Sequence, residues 1–418
     1  MYYDRKLDNG IRVVGQYIPA FPSVSVGIWV RTGSVNEGRG ENGITHFIEH
    51  MLFKGTQKRS AQQIAAEMDD VGGILNAFTS KECTCYHAKV VGDDLEQAVE
   101  LLSDLVFHST LDPVELEKEK GVVLEEINMV EDSPEDLVHE LLSAAYFQGH
   151  TLAQPILGTA QTVSSFARED LLRYMDRRYD SDRIFIAAAG GFDFERLCDL
   201  CAKYTVDCRP GTGAGDDLSP FDFGTPGFVY KEKPIEQAHI AIAMPGYSME
   251  RDEIYAVSVF NNVFGGSMSS RLFQVIREEL GLAYDVYAHP SSYYLCGAYN
   301  IYTGVNPKRA KDALAAILEQ IDLARKKGIA REEFSRGKNQ LRGNYILGLE
   351  STTSRMNAIG KSITLQGRVK TSEESLRGIE AVTYDDVHRV LDRILDRRAM
   401  AISAVGNINP QELESVIK

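Results

Sequence analysis

The sequence predicts an α+β protein made of two homologous domains, each a mostly antiparallel β-sheet flanked by helices. Three observations carry that expectation. The chain has 418 residues, and at roughly 100–200 residues per domain that length asks for two or three domains. A Gly/Pro-rich stretch, RPGTGAGDDLSPFDFGTPG at 209–227, divides it near the middle and offers few apolar anchors. The two sides also share a pattern: FAREDLLRYMDRRYDSDRIFIAAAGGFDFERL at 166–197 matches VTYDDVHRVLDRILDRRAMAISAVGNINPQEL at 382–413. Aligning Gly190 with Gly406 sets an offset of 216 (406 − 190), which also pairs Asp170 with Asp386. Each stretch reads helix, strand, Gly turn, helix. The expected domains are therefore 1–208 and 228–418, joined by a linker over 209–227.

Within the first half, Ile11–Ile18 and Ser23–Thr32 alternate like strands. The stretch Asn42–Lys54 is helix-like and largely apolar, with Phe47, Ile48, Met51, Leu52 and Phe53. Ser60 reads as the N-cap of a helix running to about Val71, where Gly72-Gly73 breaks the chain. Strands are expected near Ile74–Thr79 and Thr84–Val91, then a long helix from Pro113 to about Asp132. Ser133-Pro134-Glu135-Asp136 is a fresh helix start, with Pro at the first turn and an acid three residues after the cap. The second half repeats the scheme, with a Tyr-rich strand pair in the middle.

Composition narrows the function. Hydrophobic residues are 44% and charged residues 25%, an ordinary globular mix that can bury large cores without a staple. No stretch approaches twenty apolar residues, which excludes a membrane-spanning helix. The N-terminus MYYDRK runs into a strand-like segment with no apolar signal core, so a cytoplasmic location is expected. A net charge of −15 argues against a nucleic-acid partner. It suits cationic ligands or substrates, although acidic surfaces serve solubility as well. The six cysteines form no metal or disulfide framework. Cys83 and Cys85 share a strand face, while Cys198 and Cys201 belong to an amphipathic helix with Leu197, Leu200 and Tyr204. Reduced, half-buried thiols are expected.

The sharpest local signal is His46-Phe47-Ile48-Glu49-His50. Spacing of i,i+4 puts both imidazoles on one helical face, close enough to share a small ion. Neutral imidazole suits Zn²⁺, with Glu49 beside the pair to accept a proton from water. A catalytic zinc wants a third protein ligand. The acidic helix Glu115–Glu126 supplies candidates: Glu119 and Glu126 are seven apart and share a face. Spacing alone does not choose between Glu125 and Glu126.

HFIEH is the inverted zinc motif. The fuller pattern, GITHFIEHMLFKGT followed by LEKEKGVVLEEI, resembles the insulinase/pitrilysin family of zinc metallopeptidases, nearest in pattern and length to the mitochondrial processing peptidase and its bacterial counterparts. The likeness extends over essentially the whole chain. It implies one zinc per chain, in domain 1–208, held by His46, His50 and Glu126. The 76 residues from His50 to Glu126 (126 − 50) agree with the family spacing and decide against Glu125. It further implies that Glu49 is the general base, and that Glu119 positions the metal site or protonates the leaving amine.

The second half carries no such motif. It has Arg277 on a helix ending near Gly281 and Tyr284 opening a strand. Composition alone reads these as a surface charge and a half-buried aromatic; the resemblance makes them a pair that holds the substrate backbone and stabilises the oxyanion. Asn76, Ala77, Phe78 and Thr79 match a strand edge to which the family's peptide substrates add. Family members built as one long chain have four such domains around a chamber. A 418-residue chain with two is thereby expected to form a homodimer, Arg277 and Tyr284 serving the partner's zinc site. A non-catalytic or partner-dependent core subunit is the alternative reading.

Overall fold

The computed structural model describes residues 1–213, 221 and 224–417. Part of the expected 209–227 linker therefore lies outside the described residues. Six strands form the first sheet: β1 (Tyr2–Lys6), β2 (Arg12–Tyr17), β3 (Ser23–Val30), β4 (Ile74–Thr79), β5 (Thr84–Val91) and β6 (Ile184–Gly190). Their spatial order is β1-β2-β6-β3-β5-β4. Five form the second: β7 (Gly227–Glu232), β8 (Ala238–Pro245), β9 (Ala283–Ser292), β10 (Gly297–Val305) and β11 (Ala401–Gly406), in the order β7-β11-β8-β10-β9. Apart from the added β1, the two sheets have one topology. In each, a single pair is parallel, β2 with β6 and β7 with β11, and the rest are antiparallel.

The repeat is visible in detail. Helices Arg168–Arg178 and Tyr384–Ile394 start and stop 216 residues apart (384 − 168; 394 − 178). Asp170 accepts a hydrogen bond from Ala167 N and Asp386 one from Thr383 N, both at 2.9 Å. These acids close the first helical turn in the same way. Gly190 and Gly406, at the ends of β6 and β11, have φ of 135° and 143°, a conformation that side chains other than hydrogen resist. Ser60 and Ser133 cap their helices as the sequence implies, each accepting from the amide three residues on.

Compaction does not follow the two sequence halves. One unit gathers Met1–Ile127, Gln154–Leu218 and Gly348–Ser372; the other gathers Asn128–Ala153, Ser219–Leu347 and Glu373–Lys418. Each half thus lends a helix to the other unit. Thr352–Gln366 lies across β2, β3 and β6, while Pro134–Tyr146 lies across β7, β8 and β11. The chain's one tryptophan, Trp29 on β3, is fully buried and donates from Nε1 to Met356 Sδ at 3.4 Å. Ser25 Oγ bonds Thr352 Oγ1 at 2.9 Å beside it. In the second unit Ser403 Oγ of β11 donates to Val138 O of the lent helix at 2.6 Å.

The core of the first unit takes in Phe47, Ile48, Met51 and Leu52, that is, the apolar face of the helix Ile44–Leu52. The second core centres on Phe260, Phe264, Leu314, Ile317 and Leu391. All six cysteines are buried thiols outside any disulfide, deeper than the expected half-burial, and burial pushes the thiols of Cys83 and Cys198 up to about 11. No helix among the described residues is long and apolar enough to cross a membrane.

Candidate metal centre

The helix Ile44–Leu52 carries the motif and packs against β4, the edge strand of the first sheet. Its N-cap, Gly43, has φ 92°, and a Cβ there would sit 2.6 Å from Leu157 O. With no side chain of its own, Gly43 cannot cap the helix. That task falls to Glu37, 2% exposed: Oε2 accepts from Gly43 N at 2.8 Å and Asn42 Nδ2 at 3.0 Å, and Oε1 from Thr45 N at 2.9 Å. Thr45 Oγ1 and Tyr174 OH are 3.0 Å apart, and Tyr174 OH reaches Thr32 Oγ1 at 3.0 Å.

One turn along, His46 Nε2 and His50 Nε2 face each other at 3.2 Å. Glu126, on the helix Pro113–Asp132, places Oε2 3.6 Å from His46 Nε2 and 3.5 Å from His50 Nε2. These three donors lie within 4.8 Å of one another. Ligand atoms about 2.0–2.1 Å from a tetrahedral ion stand about 3.3 Å apart, so the spacing fits a small divalent cation. The donor chemistry fits too. Burial, then neighbouring His50, lowers His46 to about 4, so its imidazole is neutral and free to ligate. Burial also works against charge on His50. There it is outweighed by the hydrogen bond to Glu119 and by the charges of Glu126, Glu119 and Glu49, and the net shift is upward.

Glu119, two turns before Glu126, does not join the three donors. It holds His50 from behind: Oε1 lies 2.8 Å from His50 Nδ1 and Oε2 2.6 Å from Lys54 Nζ. Burial resists its ionisation, but these two partners lower its pKa overall. A carboxylate on the far ring nitrogen fixes the tautomer that leaves Nε2 a lone pair. His46 has no equivalent among the described residues, where its buried Nδ1 finds no hydrogen-bond partner. Glu49 is held by Thr79 of β4, whose Oγ1 donates to Oε2. Burial raises the Glu49 pKa against that bond, which is the direction a proton acceptor working near neutrality requires.

Among the other sequence-derived residues, Asn76, Ala77, Phe78 and Thr79 lie on β4, paired only with β5 on its inner side. The opposite edge of β4 has no strand beside it among the described residues. Arg277 and Tyr284 belong to the second unit. Arg277 lies in a π-helical segment, Phe273–Glu279, an unusual winding often found at functional sites. Its guanidinium stacks between the rings of Phe273 and Tyr284, 4.7 and 4.9 Å from the centroids. Tyr284 is 76% exposed, not half-buried. Sequence reasoning missed Glu37, Lys54 and the Thr79–Glu49 bond. Only Lys54, four residues beyond His50, carried a helical-spacing signal.

Known proteins bear on this arrangement. Residues 12–160 match the family model described as Insulinase (Peptidase family M16), and 165–341 match that described as Peptidase M16 inactive domain. A Bacillus subtilis (strain 168) protein described as an uncharacterized zinc protease is 42% identical over 402 residues, covering 96% of this chain and 98% of that one. A Streptomyces coelicolor protein of like description is 37% identical, covering 97% of this chain and 90% of that one. A crystal structure of a protease from Helicobacter pylori superposes with a TM-score of 0.91 at 18% identity, covering 97% of this chain and 99% of that one. A Pseudomonas fluorescens structure described as a peptidase M16 inactive domain also reaches 0.91, at 18% identity and 98% of each chain. With its motif helix, its duplicated topology and these full-length relatives, the chain belongs to the insulinase family of zinc metallopeptidases, peptidase family M16.

Proposed function

We propose that this protein is a zinc-dependent endopeptidase, one zinc per chain, cleaving peptides or unfolded, presequence-like segments. The observation that carries the reading is the convergence of His46, His50 and Glu126 with Glu49 alongside. Bound zinc supplies a Lewis acid that polarises the scissile carbonyl and acidifies water. The chain's own residues do the rest. Glu49, oriented by Thr79, takes the proton and later returns it to the leaving amine. Glu119 keeps His50 in its ligating tautomer. An extended peptide would add to the free edge of β4 along Asn76, Ala77, Phe78 and Thr79 through backbone hydrogen bonds. Arg277 and Tyr284, already stacked together, would hold the substrate backbone and the developing oxyanion.

In this reading the working particle is a homodimeric clamshell, with Arg277 and Tyr284 acting on the partner's zinc site. Mixed Glu49→Gln and Arg277→Ala chains should then recover activity that neither has alone; no recovery counts against trans action. The charge of −15 favours cationic peptides, whose cleavage should fall with salt while neutral peptides are spared. The primary test compares metal content and peptide cleavage of the unaltered protein with Glu49→Gln. Near-stoichiometric zinc in both, with cleavage only by the unaltered protein, is expected. A protein that takes up no zinc when supplied defeats the reading.

A further inference from the structure

We infer that Glu37 is a positioning residue for the metal centre: from outside the motif helix its buried carboxylate fixes the first turn that places His46, Glu49 and His50. This rests on the metallopeptidase reading of those three residues. The helix Ile44–Leu52 is only nine residues long and begins on a glycine whose side chain caps nothing. A helix that short is marginal by itself, and its first amides have no acceptors within the helix. Glu37 satisfies two of them, Gly43 N and Thr45 N, and also ties down Asn42. Asn42 Nδ2 in turn donates to Pro155 O at 2.8 Å, so the turn is anchored to a second segment of the unit. A negative charge at a helix N-terminus also opposes the macrodipole favourably.

The chemistry of the alternatives sharpens this. Both carboxylate oxygens of Glu37 face donors, so an amide at 37 turns an NH₂ toward a donor and orphans at least one bond. Aspartate is one methylene short. Burying a carboxylate costs stability unless it is well bonded, and Glu37 meets that condition with donors on both oxygens. The two histidines lie within two turns of the capped end, where a small rotation of the first turn moves imidazole nitrogens that must sit about 2 Å from an ion.

The test compares the unaltered protein with Glu37→Gln, Glu37→Asp and Asp180→Asn. The last breaks a buried 2.6 Å pair with Arg183 in the same unit, outside the motif helix. Cobalt(II) replaces zinc as a spectroscopic probe, and hydrogen exchange follows the amides of Gly43 and Thr45. In Glu37→Gln these amides should exchange at least about tenfold faster, the cobalt visible band should shift, and cobalt affinity should fall about 10–100-fold. On a peptide substrate kcat should drop with KM within about twofold. Glu37→Asp should fall between, and reads the same quantities if the glutamine variant does not fold. Asp180→Asn should change thermal stability without these effects. An unaltered cobalt spectrum and unaltered protection in Glu37→Gln overturn the inference, as do equal changes in Asp180→Asn. Neither cobalt binding nor exchange requires cleavage, so a protein that cleaves nothing undermines the peptidase reading alone. If no cobalt binds, protection of the two amides decides the matter.

Discussion

Glu119 retains 4% side-chain exposure while lying between two bases, His50 Nδ1 at 2.8 Å and Lys54 Nζ at 2.6 Å. Removing such a partner leaves the ring free to rotate or to adopt the wrong tautomer. Glu119→Ala should weaken zinc binding about 10–100-fold, read by competition with a chelator of known affinity. An unchanged zinc affinity would mean that packing alone holds His50. At this scale the candidate ligands named from the sequence do come together in the fold: helical spacing set His46 and His50 on one face, and a family spacing selected Glu126 over Glu125. The supporting bonds were not legible in the sequence. Thr79 reaches Glu49 from a strand 30 residues away (79 − 49), and Glu37 caps a helix to which it does not belong. Both depend on which elements pack together, which no local pattern encodes.

Gly190 and Gly406 end equivalent strands with nearly the same φ, yet their surroundings differ. A Cβ on Gly190 would lie 2.1 Å from Ser23 O, a backbone atom fixed by sheet pairing, whereas on Gly406 the nearest atom is Ala238 Cα at 3.0 Å. Gly190→Ala should therefore cost more than about 3 kcal/mol, strain plus overlap, and Gly406→Ala nearer 1–3 kcal/mol from strain alone. Chemical denaturation of the two variants checks the order, and equal losses would show that the sheet gives way at Ser23. Elements were the most legible level of this chain. Capping serines, the Gly72-Gly73 break and period-2 runs act over a few residues, so β4 and β5 begin and end where the pattern implied. The π-winding at Phe273–Glu279 was not legible, because it looks like any helix in sequence.

The largest structural event is the exchange of helices between the halves, and two predictions belong to it. A fragment ending at 208 lacks the helix Thr352–Gln366, so Trp29 loses Met356 and Gly360, which lie against its indole. With one tryptophan in the chain, its emission should shift to the red in the fragment relative to the full protein; an unshifted spectrum would show that the first half packs Trp29 unaided. In the second unit the lent helix brings His139 over the sheet. There it meets Tyr287 OH at 3.2 Å and the rings of His289 and Tyr302, while His239 Nδ1 bonds Tyr302 OH at 2.8 Å. Burial lowers the pKa of all three histidines; His139 further lowers His289, while the acids Asp136 and Glu135 only partly offset the effect on His139 and His239. A base whose folded pKa lies below its unfolded value of about 6.5 binds its proton more readily when unfolded. Its contribution to stability is present above about pH 6.5 and is lost as pH falls toward the folded values. The amides of Pro134–Tyr146 should accordingly lose hydrogen-exchange protection between about pH 7.5 and 5. Replacing His139 with Phe should flatten that loss, and an equal loss in the variant would place the sensitivity elsewhere.

By itself the sequence determined the duplication and the element order, because these rest on spacing within a helix, a strand or a repeat; helical spacing also put His46 and His50 on one face, while Glu126 was named only through the family resemblance. Tertiary structure alone decided which helix covers which sheet, what holds Glu49 and His50 in place, and where the compact units begin and end. Each sheet buries an apolar helix face lent by the other half, and which helix covers which sheet depends on contacts between residues far apart in the chain, which no local pattern encodes.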